Sequence, residues 1–178
     1  MNGDEHVKQA YESILQGDYE QAIRCFEQAI DAHPDNPAYH YKCSITCARS
    51  AKWAKAMVHA EEAERLDPDN AVYGYHLRTV KARMLIAEAE ATLASDSPDF
   101  LAAIEALREA TGLDPLSDAA FLMLSAAYGA LGRYGEAAAS AEEALKLNPQ
   151  HAEAARLLAG VRRKWRKERR HSGGKSRG

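Results

Sequence analysis

The residues of this chain whose types and spacing could do chemistry fall within one short stretch, "HYKCSITC" at positions 40 to 47. His40, Cys43 and Cys47 follow an i, i+3, i+7 spacing, which on a helix puts an imidazole and two thiols on one stripe. Such a stripe could give three ligands to zinc, or it could be buried against a neighbouring element. A structural zinc site wants a fourth ligand. No CxxC pair exists, and the third cysteine, Cys25, lies well upstream. Free cysteine packs as a small hydrophobe, so the burial reading is preferred. What the stripe touches decides the matter.

Other reactive constellations are missing. The sequence holds no phosphate-cradling GxGxxG or GxxxxGK[ST], no GxSxG elbow and no HExxH. Its seven histidines are scattered, and its carboxylates fall at helix caps and on polar faces. Catalysis is not expected, and neither is a cofactor. Three cysteines make no disulfide framework, the first residues are polar, and no apolar run approaches membrane-spanning length. These features read as a cytoplasmic chain. Charge is unevenly divided. Ten of the 23 Lys/Arg but only one of the 26 acidic residues fall from Arg156 onward, so that segment carries +9 and the rest −12.

The elements that must position these residues announce themselves by repetition. The segments "GDYEQAIRCFEQAIDAHPDN" (17–36), "AKWAKAMVHAEEAERLDPDN" (51–70), "PDFLAAIEALREATGLDPLS" (98–117) and "GRYGEAAASAEEALKLNPQH" (132–151) align end to end. Each has an aromatic third (Tyr19, Trp53, Phe100, Tyr134), alanine sixth (Ala22, Ala56, Ala103, Ala137) and alanine thirteenth (Ala29, Ala63, Ala110, Ala144). Proline stands eighteenth in all four: Pro34, Pro68, Pro115 and Pro149. The pattern describes a helical hairpin whose second helix presents a thin alanine face. Gly17 and Gly132 suit the tight interhelical turn. Proline stops the second helix, and Asp35, Asn36, Asp69 and Asn70 suit the next N-cap.

This pattern resembles the tetratricopeptide repeat. The first helix of that family reads aromatic-x-x-Leu-small-x-x-Tyr, and "FLMLSAAY" follows it with Phe121, Leu124, Ser125 and Tyr128. The resemblance covers about residues 3 to 151. It implies an all-α solenoid of about four antiparallel hairpins (3–36, 37–70, 71–117, 118–151), stacked in a right-handed superhelix and serving protein recognition. A capping helix over 152–170 completes a single domain, 1–170, with a flexible basic tail at 171–178. On the proline-anchored alignment His40, Cys43 and Cys47 match Phe121, Leu124 and Tyr128, hence core. Clamp-type members of the family grip a carboxylate with Lys, Asn and Arg. Here Val7, Tyr11, Lys42, Val72 and His76 occupy those places, so a chaperone-clamp specificity is not expected.

The third unit departs from the period. Its prolines, Pro68 and Pro115, are 47 residues apart instead of 34, and nothing interrupts a helix from Ala71 to Ala94. "SDSPDF" then marks a restart, with Asp96 or Ser97 as cap and Pro98 in the first turn. The first helix of this hairpin is thus expected to be about 24 residues long. Arg78 replaces the small contact residue found at Ala10, Ser44 and Ser125, and counting back from Pro98 puts Ala87, Ala91 and Ala94 at the contact positions instead.

Two partner surfaces follow. First helices line the concave side of stacked hairpins, so groove residues recur at the repeat length. Tyr41 and Tyr75 are 34 apart, as are Arg49 and Arg83, and Tyr11 adds an aromatic in the first repeat. These five are the candidate peptide-binding residues, although the tyrosines could instead pack between helices. They suit a protein or peptide bearing apolar and acidic residues. The second surface is the basic C-terminus. There an apolar stripe of Ala155, Leu158, Val161 and Trp165 fits a cap, and "RRKWRKERR" could serve as an adaptor to nucleic acid or anionic lipid.

Overall fold

The computed structural model describes residues 2–173, and every regular element among them is an α-helix. In chain order these are α1 (Gly3–Leu15), α2 (Tyr19–Ala32), α3 (Pro37–Arg49), α4 (Trp53–Leu66), α5 (Ala71–Leu93), α6 (Phe100–Leu113), α7 (Asp118–Ala130), α8 (Tyr134–Leu147) and α9 (Ala152–Gly173). This is the expected α-solenoid of helical hairpins, with the 23-residue α5 as the extended element. Where the repeat spacing reads as one domain over 1–170, backbone contacts gather into two compact units, Met1–Met84 and Leu85–Gly178. In the first, α1 pairs with α2 and α3 with α4, and α2 packs on α3; in the second, α7 pairs with α8, α6 packs on α7, and α8 packs on α9.

The hairpins close at the alanines. All eight repeat alanines are buried. A hydroxyl marks the crossing in two hairpins: Ser44 Oγ donates to the Ala56 carbonyl and Ser125 Oγ to the Ala137 carbonyl, each at 2.7 Å. A bulky side chain at either serine would push the helices apart, so the small residue and its bond are one device. The turns ahead of α2 and α8 use Gly17 (φ +77°) and Gly132 (φ +72°). At the equivalent turn the second repeat forces Ala51 into the same left-handed region, φ 55°.

Caps explain the helix starts. Asn36 accepts from Ala38 N–H, with Pro37 in the first turn of α3, and Asn70 accepts from Val72 N–H. The α6 start corrects the expectation of Asp96 or Ser97. Asp99 is the cap, accepting from Leu101 and Ala102 N–H, and Pro98 lies ahead of the helix. Asp99 aligns with Asp18, which accepts from Gln21 N–H at the start of α2. Along α5 the buried residues are Val80, Ala82, Ile86 and Ala89, whereas Ala91 and Ala94 are exposed. The larger Ile86 sets the phase of the buried stripe at the rear of this helix, so the alanines picked by counting from Pro98 do not carry it. On α9 Leu158 and Val161 are buried as expected, whereas Ala154 and not Ala155 begins the stripe. The helix continues through 171–173, positions expected in a flexible tail; residues 174–178 lie outside the described residues.

The opening stretch sits in the core of the first unit. Cys43 and Cys47 are fully buried beside Phe26, Tyr39 and Ala60. The neighbouring Cys47 thiol, together with burial, pushes the ionisation of Cys43 well above the usual thiol range. His40 uses both ring nitrogens. Its Nε2 lies 3.0 Å from the Pro34 carbonyl, which can only accept, so Nε2 carries the proton and Nδ1 accepts from His59 Nδ1–H at 3.2 Å. Neither nitrogen keeps a lone pair for a metal. By the same logic His76 Nε2–H donates to Ser44 Oγ, 2.8 Å away, because the Ser44 hydrogen already goes to Ala56.

Three outcomes follow. Ala51→Gly relieves a left-handed alanine, which costs about 1–2 kcal/mol, and returns part of that as backbone entropy. A gain of about 0.5–1 kcal/mol, read as a rise of a few degrees in the melting midpoint, is expected. Melting with and without EDTA should give the same midpoint, where a structural zinc would lower it sharply. The third outcome is pH dependence. Burial first, then the neighbouring His40, holds His59 below the ordinary 6.5 despite Glu27, and burial does the same for His76. A depressed imidazole contributes stability that is fully present above the unfolded value and lost as pH falls through the folded one. The midpoint should therefore decline from pH 6.5 toward pH 5, and His59→Gln should flatten that decline.

Candidate functional site

In the first unit, α1 and α3 lie side by side with a cleft of ≈170 Å³ between them, lined by Tyr11, Ile14, Phe26, Lys42, Ile45, Thr46 and Arg49. The floor is apolar. Phe26, 1% exposed, meets the Tyr11 ring edge-on at 5.9 Å between centroids, which holds Tyr11 upright while leaving it 46% exposed. The rim is cationic. Lys42 Nζ stands 5.6 Å from the centre of the Tyr11 ring, and neither Lys42 nor Arg49 forms an ion pair among the described residues. An unpaired ammonium and guanidinium beside exposed aromatic and aliphatic surface can take a carboxylate next to an apolar side chain.

The five residues singled out from the sequence do not fall together. Tyr11 and Arg49 line this cleft. Tyr41 packs against α5 instead, 5.0 Å from the Tyr73 ring and 5.1 Å, edge to face, from His76. Burial raises the Tyr73 phenol at that contact, with Asp67 and Tyr41 adding to it. Tyr75 (62% exposed) and Arg83 stand on the open surface of α5 and line no part of the cleft. Sequence reasoning missed Lys42 and Ile45. An eight-residue step such as Tyr41 to Arg49 drifts 80° around a helix, while the seven-residue step from Lys42 to Arg49 drifts only 20°. The series Lys42, Ile45, Thr46, Arg49 is the face of α3 that lines the cleft, and its i, i+3, i+4, i+7 spacing is present in the sequence. Of the clamp positions, Val7 is buried and His76 is spent on Ser44.

The second unit repeats the construction between α7 and α9. That cleft, ≈480 Å³, is lined by Ala126, Gly129, Leu157, Gly160, Val161 and Lys164 among others. In repeat register Ala126 stands for Tyr11, Gly129 for Ile14, Gly160 for Ile45 and Lys164 for Arg49. Smaller residues make it wider, and its floor lacks the aromatic pair. No helix among the described residues is long and apolar enough to cross a membrane, and none of their His, Cys, Asp and Glu side chains cluster as a metal site.

Residues 11–45 match the TPR repeat and residues 119–151 the tetratricopeptide repeat, one match in each compact unit. The "TPR repeat-containing thioredoxin TTL4" of Arabidopsis thaliana is 32% identical over 91 residues, which are 51% of this chain and only 13% of that protein. Among solved structures, MamA AMB-1 superimposes with a TM-score of 0.57 at 20% identity, covering 96% of this chain and 85% of that one. The APC/C hetero-tetramer Cut9-Hcn1 gives 0.53 at 15% identity, covering 90% and 30%. The structural likenesses fix the fold alone, and the two repeat matches support a protein–protein interaction scaffold. The two matched repeats and the hairpin geometry together show that the chain contains tetratricopeptide repeats, one matched stretch in each compact unit.

Proposed function

We propose that the chain is a cytoplasmic, non-catalytic interaction module that holds a peptide or partner helix against the first helices of its repeats. The primary site is the α1–α3 cleft, with Tyr11, Lys42, Ile45 and Arg49 as its contacts and Tyr75 and Arg83 as outlying contacts further along. The observation that carries this reading is the cleft's combination of an apolar floor with two unpaired cations. Tyrosine and arginine are the side chains that most often concentrate binding energy at interfaces. The occupant is accordingly an apolar segment with acidic residues beside it. The three free, buried cysteines suit a reducing compartment. Tyr41 serves this site indirectly, by packing α3 on α5.

A second reading, an adaptor to nucleic acid or anionic membrane through the basic C-terminal helix, is favoured by one observation. Every residue from Arg162 to His171 is exposed, and seven of the nine between Arg162 and Arg170 are basic.

Selection from a displayed random peptide library on the immobilised protein tests the first reading. It should enrich sequences in which Asp or Glu adjoins Leu, Ile, Met or an aromatic. Lys42→Glu with Arg49→Glu should lose those peptides by at least about tenfold, or 1.4 kcal/mol. Tyr75→Ala with Arg83→Ala should weaken them less, mainly at low salt. Enrichment of basic or purely apolar peptides, or unchanged binding by the reversed pair in folded protein, would sink the reading.

A further inference from the structure

The cations of α9 are not equivalent. Arg162 pairs with Glu142 of α8 at 2.8 Å, and Arg169 lies over the Trp165 ring, 5.9 Å from its centre. Trp165 in turn rests on the bare backbone of Gly135, where an added Cβ would come within 3.6 Å of the indole. That side of the helix is occupied. Arg163, Arg166, Lys167 and Arg170 differ. Together with Ala159 they line a single shallow trough, and none of the four forms an ion pair among the described residues. Their i, i+3, i+4, i+7 spacing keeps all four on one face, over about 10 Å of helix axis.

We propose that this four-cation face binds the phosphate backbone of nucleic acid, without reading its sequence. The inference rests on the second reading above and narrows it to one partner class and four residues. Three arguments select phosphate chains. A helix lying in a membrane needs a free apolar face opposite its basic one. Here the apolar stripe of Ala154, Leu158 and Val161 is already buried and Trp165 is seated on α8. A protein partner would want an apolar centre with few charges, and the trough offers only Ala159. Three of the four cations are arginines, whose planar fork takes two phosphate oxygens at once. With no exposed aromatic platform in the trough, base stacking adds nothing, so binding is electrostatic and depends steeply on salt.

Fluorescence polarisation of the full chain with a labelled 20-nucleotide RNA, titrated from 50 to 200 mM salt, tests this. Phosphatidylserine vesicles and polyglutamate serve as parallel probes. Wild type should bind the RNA at 50 mM salt, with affinity falling steeply as salt rises. The variant R163Q/R166Q/K167Q/R170Q keeps helix-forming residues and should reduce the log–log salt slope by about 3, at roughly 0.7 per phosphate contact. The control R24Q/R65Q removes two cations from the first unit and should leave the slope nearly unchanged. No RNA binding, or equal slopes for the quadruple variant and wild type with matching helical circular dichroism, would overturn the proposal. Stripe-dependent binding of vesicles without RNA would overturn it while leaving the adaptor reading standing. Stripe-dependent binding of polyglutamate alone would overturn both, and silence from all three probes would do the same.

Discussion

The close approach of paired helices at small residues is the constraint on which the rest of the structure depends. An alanine face can be brought within reach of a serine hydroxyl, and Ser44 and Ser125 then tie the first helix of a hairpin to the second through one buried bond each. That approach fixes where every other side chain falls. It buries Cys43 and Cys47 below α4, leaves His40 facing Pro34 and His59, and turns Lys42, Ile45 and Arg49 toward α1. A cleft between first helices follows directly from hairpins that close at alanine.

Within the first unit His6 Nδ1 on α1 is buried without a partner among the described residues, but the polar groups around the His40–Cys47 stripe are committed, and this is what separates a packed stripe from a metal site. His40 spends a proton on one neighbour and a lone pair on another, while His76 spends its proton on Ser44. Buried polar groups persist when each finds a partner. The surface of the same unit is the reverse case. Lys42 and Arg49 are left without carboxylates in a unit rich in them, although Lys52 and Lys55 pair with Glu20 and Glu27 a few residues away. Unpaired charge beside exposed aromatic surface marks where a partner is expected.

Much of the fold was legible because the repeat states each rule several times. Aromatic, alanine and proline at fixed offsets gave four hairpins, and the 47-residue spacing gave the long α5. Single-copy features were harder. Pro98 in the sequence points to an earlier helix start than the Asp99 cap, and only the alignment of Asp99 with Asp18 signals the cap. Tyr41 looked like a groove residue because it recurs as Tyr75 at the repeat length. Recurrence, however, is shared by residues facing the groove and residues packing one first helix on the next. Only the angular step around α3 separates Tyr41 from Lys42, and it was the contact with Tyr73 and His76 that resolved it.

The proposed place for a partner is the α1–α3 cleft. Titration of an acidic, apolar peptide into isotopically labelled protein, followed by amide chemical shifts, tests that claim most directly. Saturable shifts concentrated on Ile14, Ile45, Thr46 and Arg49 are expected, with the amides of α4 and α6 unmoved. Shifts that bypass α1 and α3 and gather on the outer helices would contradict it.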